Sequence, residues 1–252
     1  MTGDFLALLD KRPFPNIAAH GSGSGLVPLE ATTVFAFHCA EGVIIGGDHR
    51  ATAGNTVFSD KTEKILELDS HSLMAIAGVP AMAFEMARTL QTAFEFYRRS
   101  QLQPMSLPAK IRALSRLLRD NLPATLQGVG VVAPIFAGVE TGDAASKPVI
   151  FFYDPLGAQF EAAAYAGSGS GTAFIKSVLH YLENWGRPHP AEMPLAQAVV
   201  LANRLLMTAA QFDTATGGVH PEQGDFATIK FLSTDGLRSV LREEQGQYWK
   251  SQ

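Results

Sequence analysis

The sequence predicts an α+β protein, for which two antiparallel sheets covered by helices on both outer faces are a fitting arrangement. Three observations carry this. The elements come in segregated blocks (strands, two helices, strands, two helices, strands), which argues for α+β layers rather than alternating βαβ units. The chain has 252 residues, enough for one large single-core domain or two small ones. It is 46% hydrophobic and 17% charged, the composition of a globular chain rather than a disordered one.

Regular structure is expected to begin sharply at Thr32. Thr32 to Cys39 is rich in β-branched and aromatic residues and reads as a strand. After a tight turn at Glu41-Gly42, Val43 to Asp48 reads as a buried strand ending at a carboxylate. A polar stretch follows, with a turn at Gly54-Asn55; Lys64–Leu68 and Ser72–Ala77 then read as a strand pair around Asp69-Ser70-His71. Ala81–Arg98 places Ala83, Met86, Ala87, Leu90, Phe94 and Tyr97 on one helical stripe. Leu107–Asn121 does the same with Ile111, Leu114, Leu117 and Leu118, and its basic opposite face reads as a solvated one.

Strands resume at Gly130–Val139, Pro148–Tyr153 and Phe160–Ala166. The tract Gly167–Gly171 leads into a helix over Thr172–Asn184, and a Pro-rich loop joins this to a long helix over Leu195–Phe212. A closing hairpin is expected from Phe226–Leu232 and Leu237–Leu241, around Thr234-Asp235-Gly236. No internal repeat of fixed period is visible.

Composition also narrows function. Lys and Arg total 20 against 24 Asp and Glu, a net charge of −4, which argues against a nucleic-acid footprint or a polybasic membrane patch. The apolar run near Val129–Val139 is too short to span a bilayer. The lone Cys39 excludes a disulfide framework and a Cys-cluster zinc site, and it reads as a packed interior residue. The seven histidines show no metal-binding spacing, so no metal is expected. Gly21–Gly25 and Gly167–Gly171 lack the context of a dinucleotide fingerprint or a P-loop, and neither Ser168 nor Ser170 sits in a Gly-x-Ser-x-Gly elbow. No cofactor is expected.

Phe5–Leu9, flanked by Asp4 and Asp10, is not a secretory signal, and a cytoplasmic location is the expectation. Residues 13–30 hold Pro13, Pro15, Pro28 and the Gly21–Gly25 tract, a linker composition. Two readings stand for this region: an ordinary frayed terminus, or a removable pro-segment.

One constellation could carry chemistry. Thr32 starts the first strand, Asp48 ends the second sixteen residues later, and Lys64 begins the third extended segment sixteen further on. Three consecutive strands of a sheet can bring such ends together. A threonine hydroxyl needs a base to act as a nucleophile. A cut before Thr32 would free an α-amino group with a pKa near ~8, suited to that duty. The β-methyl restricts χ1. A nearby Lys64 would favour the neutral amine, and Asp48 would orient the lysine. By spacing alone, this trio is also compatible with a chance match.

The residues around it resemble a known family. Thr32-Thr33-Val34-Phe35-Ala36-Phe37 and Gly42-Val43-Ile44-Ile45-Gly46-Gly47-Asp48-His49-Arg50-Ala51-Thr52 resemble the start of a mature proteasome β subunit, with Lys64 at the family's lysine without a gap. Ala75-Ile76-Ala77-Gly78, Tyr165–Ser170 and Asp213-Thr214-Ala215-Thr216-Gly217-Gly218 look like three later signatures, the last most like bacterial 20S-type subunits. The likeness runs from Thr32 to about Leu241.

The resemblance implies an N-terminal nucleophile hydrolase: a four-layer αββα sandwich, made as a precursor and acting as a threonine endopeptidase on unfolded proteins. It implies a pro-segment over residues 1–31 and a single catalytic domain over 32–252. In this reading Thr32 is nucleophile and amine base, Asp48 and Lys64 complete the primary site, and the Gly78 N–H stabilises the oxyanion. Ser168, Asp213 and Thr216 surround the amine. Arg50 supports this network or forms a plain structural salt bridge. Ala51, Ile76 and Phe84 line the pocket before the scissile bond, with a core role as the alternative for Phe84.

The resemblance also implies homo-oligomeric seven-membered β rings stacked inside α-subunit rings, fed by an ATPase or other activator. Two departures stand out. Ala31 replaces the glycine usual before the nucleophile, where a strained turn favours self-cleavage; Thr216 stands where many members have serine. Ala31 motivates one alternative, an unprocessed structural subunit. A second is the simpler two-ring ATP-dependent peptidase without α subunits.

Overall fold

A computed structural model describes residues 32–53, 56–142 and 146–251. The expected Gly54-Asn55 turn and the whole 1–31 segment, with Ala31, lie outside the described residues.

Two five-stranded antiparallel sheets form the centre. The first has the order β10-β1-β2-β11-β12, built from β1 (Thr33–Cys39), β2 (Gly42–Gly47), β10 (Tyr165–Gly169), β11 (Thr228–Ser233) and β12 (Gly236–Ser239). The second has the order β5-β6-β7-β8-β9, from β5 (Ile65–Asp69), β6 (Ser72–Ala75), β7 (Ile135–Gly138), β8 (Val149–Tyr153) and β9 (Gln159–Ala162). A small hairpin of β3 (Ala51–Ala53) and β4 (Thr56–Ser59) stands apart. Six α-helices are described: α1 (Pro80–Gln101), α2 (Leu107–Asp120), α3 (Leu122–Leu126), α4 (Thr172–Trp185), α5 (Leu195–Phe212) and α6 (Arg242–Lys250).

The period-2 alternation of the strands sorts side chains into three apolar layers. In β1, Val34 and Ala36 face the second sheet, meeting Ile65, Ala75, Ile135 and Ile150. Phe35, Phe37 and Cys39 face outward onto Ile175 and Leu179 of α4 and Ala198, Ala202 and Leu206 of α5. On the far side, Met74, Ile76, Phe136 and Tyr153 meet Ala83, Met86 and Leu90 of α1 and Ile111 and Leu114 of α2. Three cores between four layers are the predicted αββα sandwich. Cys39 is buried in the core between the first sheet and α4 and α5, as its strand position predicts. By length and composition α5 is apolar enough to cross a membrane, with a mean hydropathy of 1.2, but its stripe from Ala198 to Ala209 is spent on this core.

Polar ties complete the packing. The Tyr153 hydroxyl donates to the Ile111 carbonyl at 2.9 Å, joining the second sheet to α2. Buried Gln245 of α6 donates to the Ala227 and Val240 carbonyls and accepts from Asn203 of α5.

Three expectations need correction. The strand read over Gly130–Val139 is only β7; Val132 makes an isolated bridge to Gly78 instead. The strand read over Phe160–Ala166 is two strands in different sheets, since the chain crosses from β9 to β10. Gly167 to Gly169, read as part of a pre-helical tract, are strand residues paired with Phe35, Val34 and Thr33. Helix α6 was not expected at all.

Candidate active site

The first sheet brings β1 and β2 together in register, with Val34 opposite Gly47, so that Thr33 and Asp48 fall side by side. The Thr33 N–H donates to Asp48 Oδ1 at 2.9 Å, and the Asp48 N–H to the Thr33 carbonyl at 3.2 Å. Lys64 enters from the second sheet, just before β5, its carbonyl bonded by the Ile76 N–H at 2.8 Å. Lys64 Nζ then reaches Asp48 Oδ1 at 2.7 Å and also donates to the Arg50 carbonyl. Asp48 thus meets Thr33, the neighbour of Thr32, and Lys64, but not as three consecutive strands of one sheet: β1 and β2 belong to the first sheet and Lys64 precedes β5 of the second.

Asp48 is saturated. Besides Thr33 and Lys64 on Oδ1, its Oδ2 accepts the N–H groups of Arg50 at 3.0 Å and Gly217 at 2.8 Å. The donors come from four separate segments, so this carboxylate fixes the site as well as the lysine. Burial pulls the Lys64 pKa below its ordinary value; the Asp48 charge and hydrogen bond oppose this without cancelling it.

A second carboxylate lies next to the first. Asp213 follows the last residue of α5, and its Oδ2 accepts the Ser170 hydroxyl at 2.6 Å and the Thr216 hydroxyl at 2.5 Å. Desolvation, the largest single effect, pushes the Asp213 pKa up. The hydrogen bonds from Ser170, Thr216 and the backbone of Ala215 and Thr216 together outweigh it and hold the carboxyl below its ordinary value. Thr216 is buried, and its Oγ1 lies 2.6 Å from Thr33 Oγ1.

Thr32 itself is 4% exposed. Its carbonyl accepts the Ser170 N–H at 3.1 Å. Gly169 makes this close approach possible: it has φ +98°, and a Cβ there would lie 1.7 Å from the Thr32 carbonyl oxygen. Gly78, with φ +106°, is pressed similarly against the Val131 carbonyl. The bridge between Gly78 and Val132 is held by Val79 N–H to Val131 at 2.8 Å and Ala133 N–H to Ala77 at 2.9 Å. Neither bond consumes the N–H of Gly78.

Such a site pairs a hydroxyl-bearing strand start with a buried ammonium and two hydrogen-bonded carboxylates. Among the described residues no group of His, Cys, Asp and Glu could hold a metal ion.

The family model described as Proteasome subunit matches residues 29–220. The chain is 35% identical over 237 residues to a "Proteasome subunit beta" of Stackebrandtia nassauensis, covering 91% of this chain and 79% of that protein. It is 36% identical over 238 residues to one of Acidimicrobium ferrooxidans, covering 94% and 84%. A "Proteasome subunit beta 2" of Thermomonospora curvata is 33% identical over 254 residues, covering 99% and 88%. The chain belongs to the proteasome subunit family. The N-terminal nucleophile hydrolase fold follows from that membership and agrees with the two sheets and flanking helices.

Within this proteasome family member, the two serines of the Gly167–Gly171 tract have different partners. The Ser168 hydroxyl donates across to the Ala133 carbonyl at 2.6 Å, and the serine hydrogen-bonded to Asp213 is Ser170. Alternation alone leaves the two serines equivalent, being two residues apart. They part because β10 ends at Gly169. Thr33 and Gly217, which tie the two carboxylates together, were also missed; a second hydroxyl directly after Thr32 was the one signal available.

Of the two alternatives for Arg50, its side chain forms the plain salt bridge, and the contact to Asp48 is made by its backbone. Its N–H supports Asp48, and its guanidinium pairs with Asp60 at 3.0 Å and donates to the Thr214 carbonyl at 3.4 Å. Ala51 and Ile76 are buried; Ile76 belongs to the core beneath α1, with Phe84 packed against that core.

Proposed function

We propose that this chain is the proteolytic subunit of a 20S-type proteasome core particle, a threonine endopeptidase whose nucleophile is Thr32. The observation that carries the reading is the buried convergence of the Thr32 strand start, Asp48 and Lys64, tied to Asp213 through its immediate neighbour Thr33. Residues 1–31 are a pro-segment, and hydrolysis of the bond between Ala31 and Thr32 frees the amine. The Thr32 hydroxyl attacks the substrate carbonyl while that amine takes its proton, and the Gly78 N–H stabilises the oxyanion. The proton passes to the departing amine, and water then hydrolyses the acyl ester to restore Thr32.

Lys64 supplies a fixed positive charge that favours the neutral amine, and Asp48 holds the lysine in place. Asp213, Thr216 and Ser170 orient the amine. Ala51 and Ile76 line the pocket before the scissile bond.

The relatives' names also support assembly into β rings inside α-subunit rings, and they favour this over the two-ring peptidase without α subunits. Seven-membered homo-oligomeric rings, an ATPase or other activator, unfolded protein substrates and a cytoplasmic location belong to the same proposal. The test is Thr32→Ala in the assembled particle. Peptide cleavage should vanish, and a threonine-directed inhibitor should no longer form an adduct. Retained cleavage would overturn the reading. An intact wild-type particle that keeps residues 1–31 and forms no adduct would instead identify the unprocessed structural subunit.

A further inference from the structure

We propose that Thr33 is a positioning residue for this site: it joins the Asp213 group through its side chain to Asp48 through its backbone, so that both carboxylates hold the start of β1 as one unit. The inference rests on the reading of Thr32 as nucleophile and extends it to a residue that touches no substrate.

The direction of the bonds follows from chemistry. An ionised carboxylate only accepts, so the Thr216 proton goes to Asp213 Oδ2, 2.5 Å away. Thr216 Oγ1 then has no proton left for Thr33 Oγ1 at 2.6 Å, and Thr33 must be the donor. Thr33 Oγ1 in turn accepts the Gly171 N–H at 3.0 Å. The result is a one-way chain, from the Gly171 N–H through Thr33 and Thr216 to Asp213. The Thr33 N–H meanwhile donates to Asp48 Oδ1 at 2.9 Å.

Thr33 is 0% exposed, so solvent has no access to replace a lost hydroxyl. Removing it would leave the buried Gly171 N–H without its acceptor and buried Thr216 without its donor. Thr32 is one peptide bond away, and a displacement of about 1 Å at a reacting group costs on the order of 100-fold in rate.

The experiment compares assembled particles carrying Thr33→Ser, Thr33→Ala and Thr33→Val with wild type and Thr32→Ala. Intact mass establishes where each chain begins, and kcat and KM are measured on one peptide substrate. Thr33→Ser should retain most of the wild-type kcat, while Thr33→Ala and Thr33→Val should lose about tenfold or more with KM little changed. Serine and alanine differ by a single oxygen, so their comparison holds even where the valine variant does not fold. A processed serine variant beside an unprocessed alanine variant supports the same role, because processing exposes the same residue. Serine no better than alanine, or a series equal to wild type beside an inactive Thr32→Ala, overturns the role of Thr33 alone. Cleavage retained in Thr32→Ala overturns the underlying reading and this inference with it.

Discussion

Lys64 Nζ lies 2.7 Å from Asp48 Oδ1, and the two side chains are 1% and 0% exposed. A buried ion pair gains little over a well-packed apolar pair, but breaking one partner is expensive, about 3–5 kcal/mol. Asp48 also accepts the N–H groups of Thr33, Arg50 and Gly217. Asp48→Ala should therefore cost stability on that scale, and more than Lys64→Met, which leaves three donors on the carboxylate. Thermal or urea unfolding of the two variants checks the order; equal losses would count against the shared role of Asp48.

Ser168 and Ser170 should separate functionally. Ser170→Ala removes a hydroxyl from Asp213 and should lower kcat by about tenfold or more, as a fraction of what a positioned acid–base group contributes. Ser168→Ala removes the bond to the Ala133 carbonyl and should cost about 1–3 kcal/mol of stability with turnover near wild type. Assaying both variants at one temperature, beside their melting curves, distinguishes the assignments.

The sandwich was legible because its cues are local. The block order of strands and helix pairs gave the two covered sheets, the resemblance implied the four layers, and the Ala83–Leu90 stripe announces α1. Helix α6 was not legible: its polar run around Gln245 is docked by hydrogen bonds to Asn203 and Ala227, which are distant in sequence, and to Val240 just before the helix. For the candidate site, the strand-end positions of Thr32, Asp48 and Lys64 only suggested a trio, and the resemblance of the surrounding motifs singled it out. Ser170 was not legible, because only the end of β10 tells it from Ser168. Thr33 was hidden by its place inside an ordinary strand pattern, its partners Thr216 and Gly171 lying far along the chain.

Asp213 makes a pH-dependent contribution. Its folded-state pKa lies below the ordinary 3.8, so its stabilisation is complete above that ordinary value and is lost as pH falls through the folded-state value. Asp213→Asn should melt below wild type near pH 7, and the gap should narrow as pH drops below 3.8. Melting curves across that range test this; a constant gap would contradict the hydrogen-bonded carboxylate.

Gly78 leaves no room for a side chain. Its φ is +106°, and a Cβ would lie 2.1 Å from the Val131 carbonyl oxygen. Gly78→Ala should lose at least about 1–3 kcal/mol from backbone strain, with the carbonyl contact adding to it. A melting temperature equal to wild type would show that the bridge to Val132 can relax, and would weaken the case for Gly78 as a fixed donor.

The most direct test is the mass and N-terminal sequence of the subunit in a particle that is actively cleaving peptide. The account predicts a chain that begins with Thr32 and carries a free amine. A chain still joined at Ala31, in a particle whose cleavage continues, would contradict it.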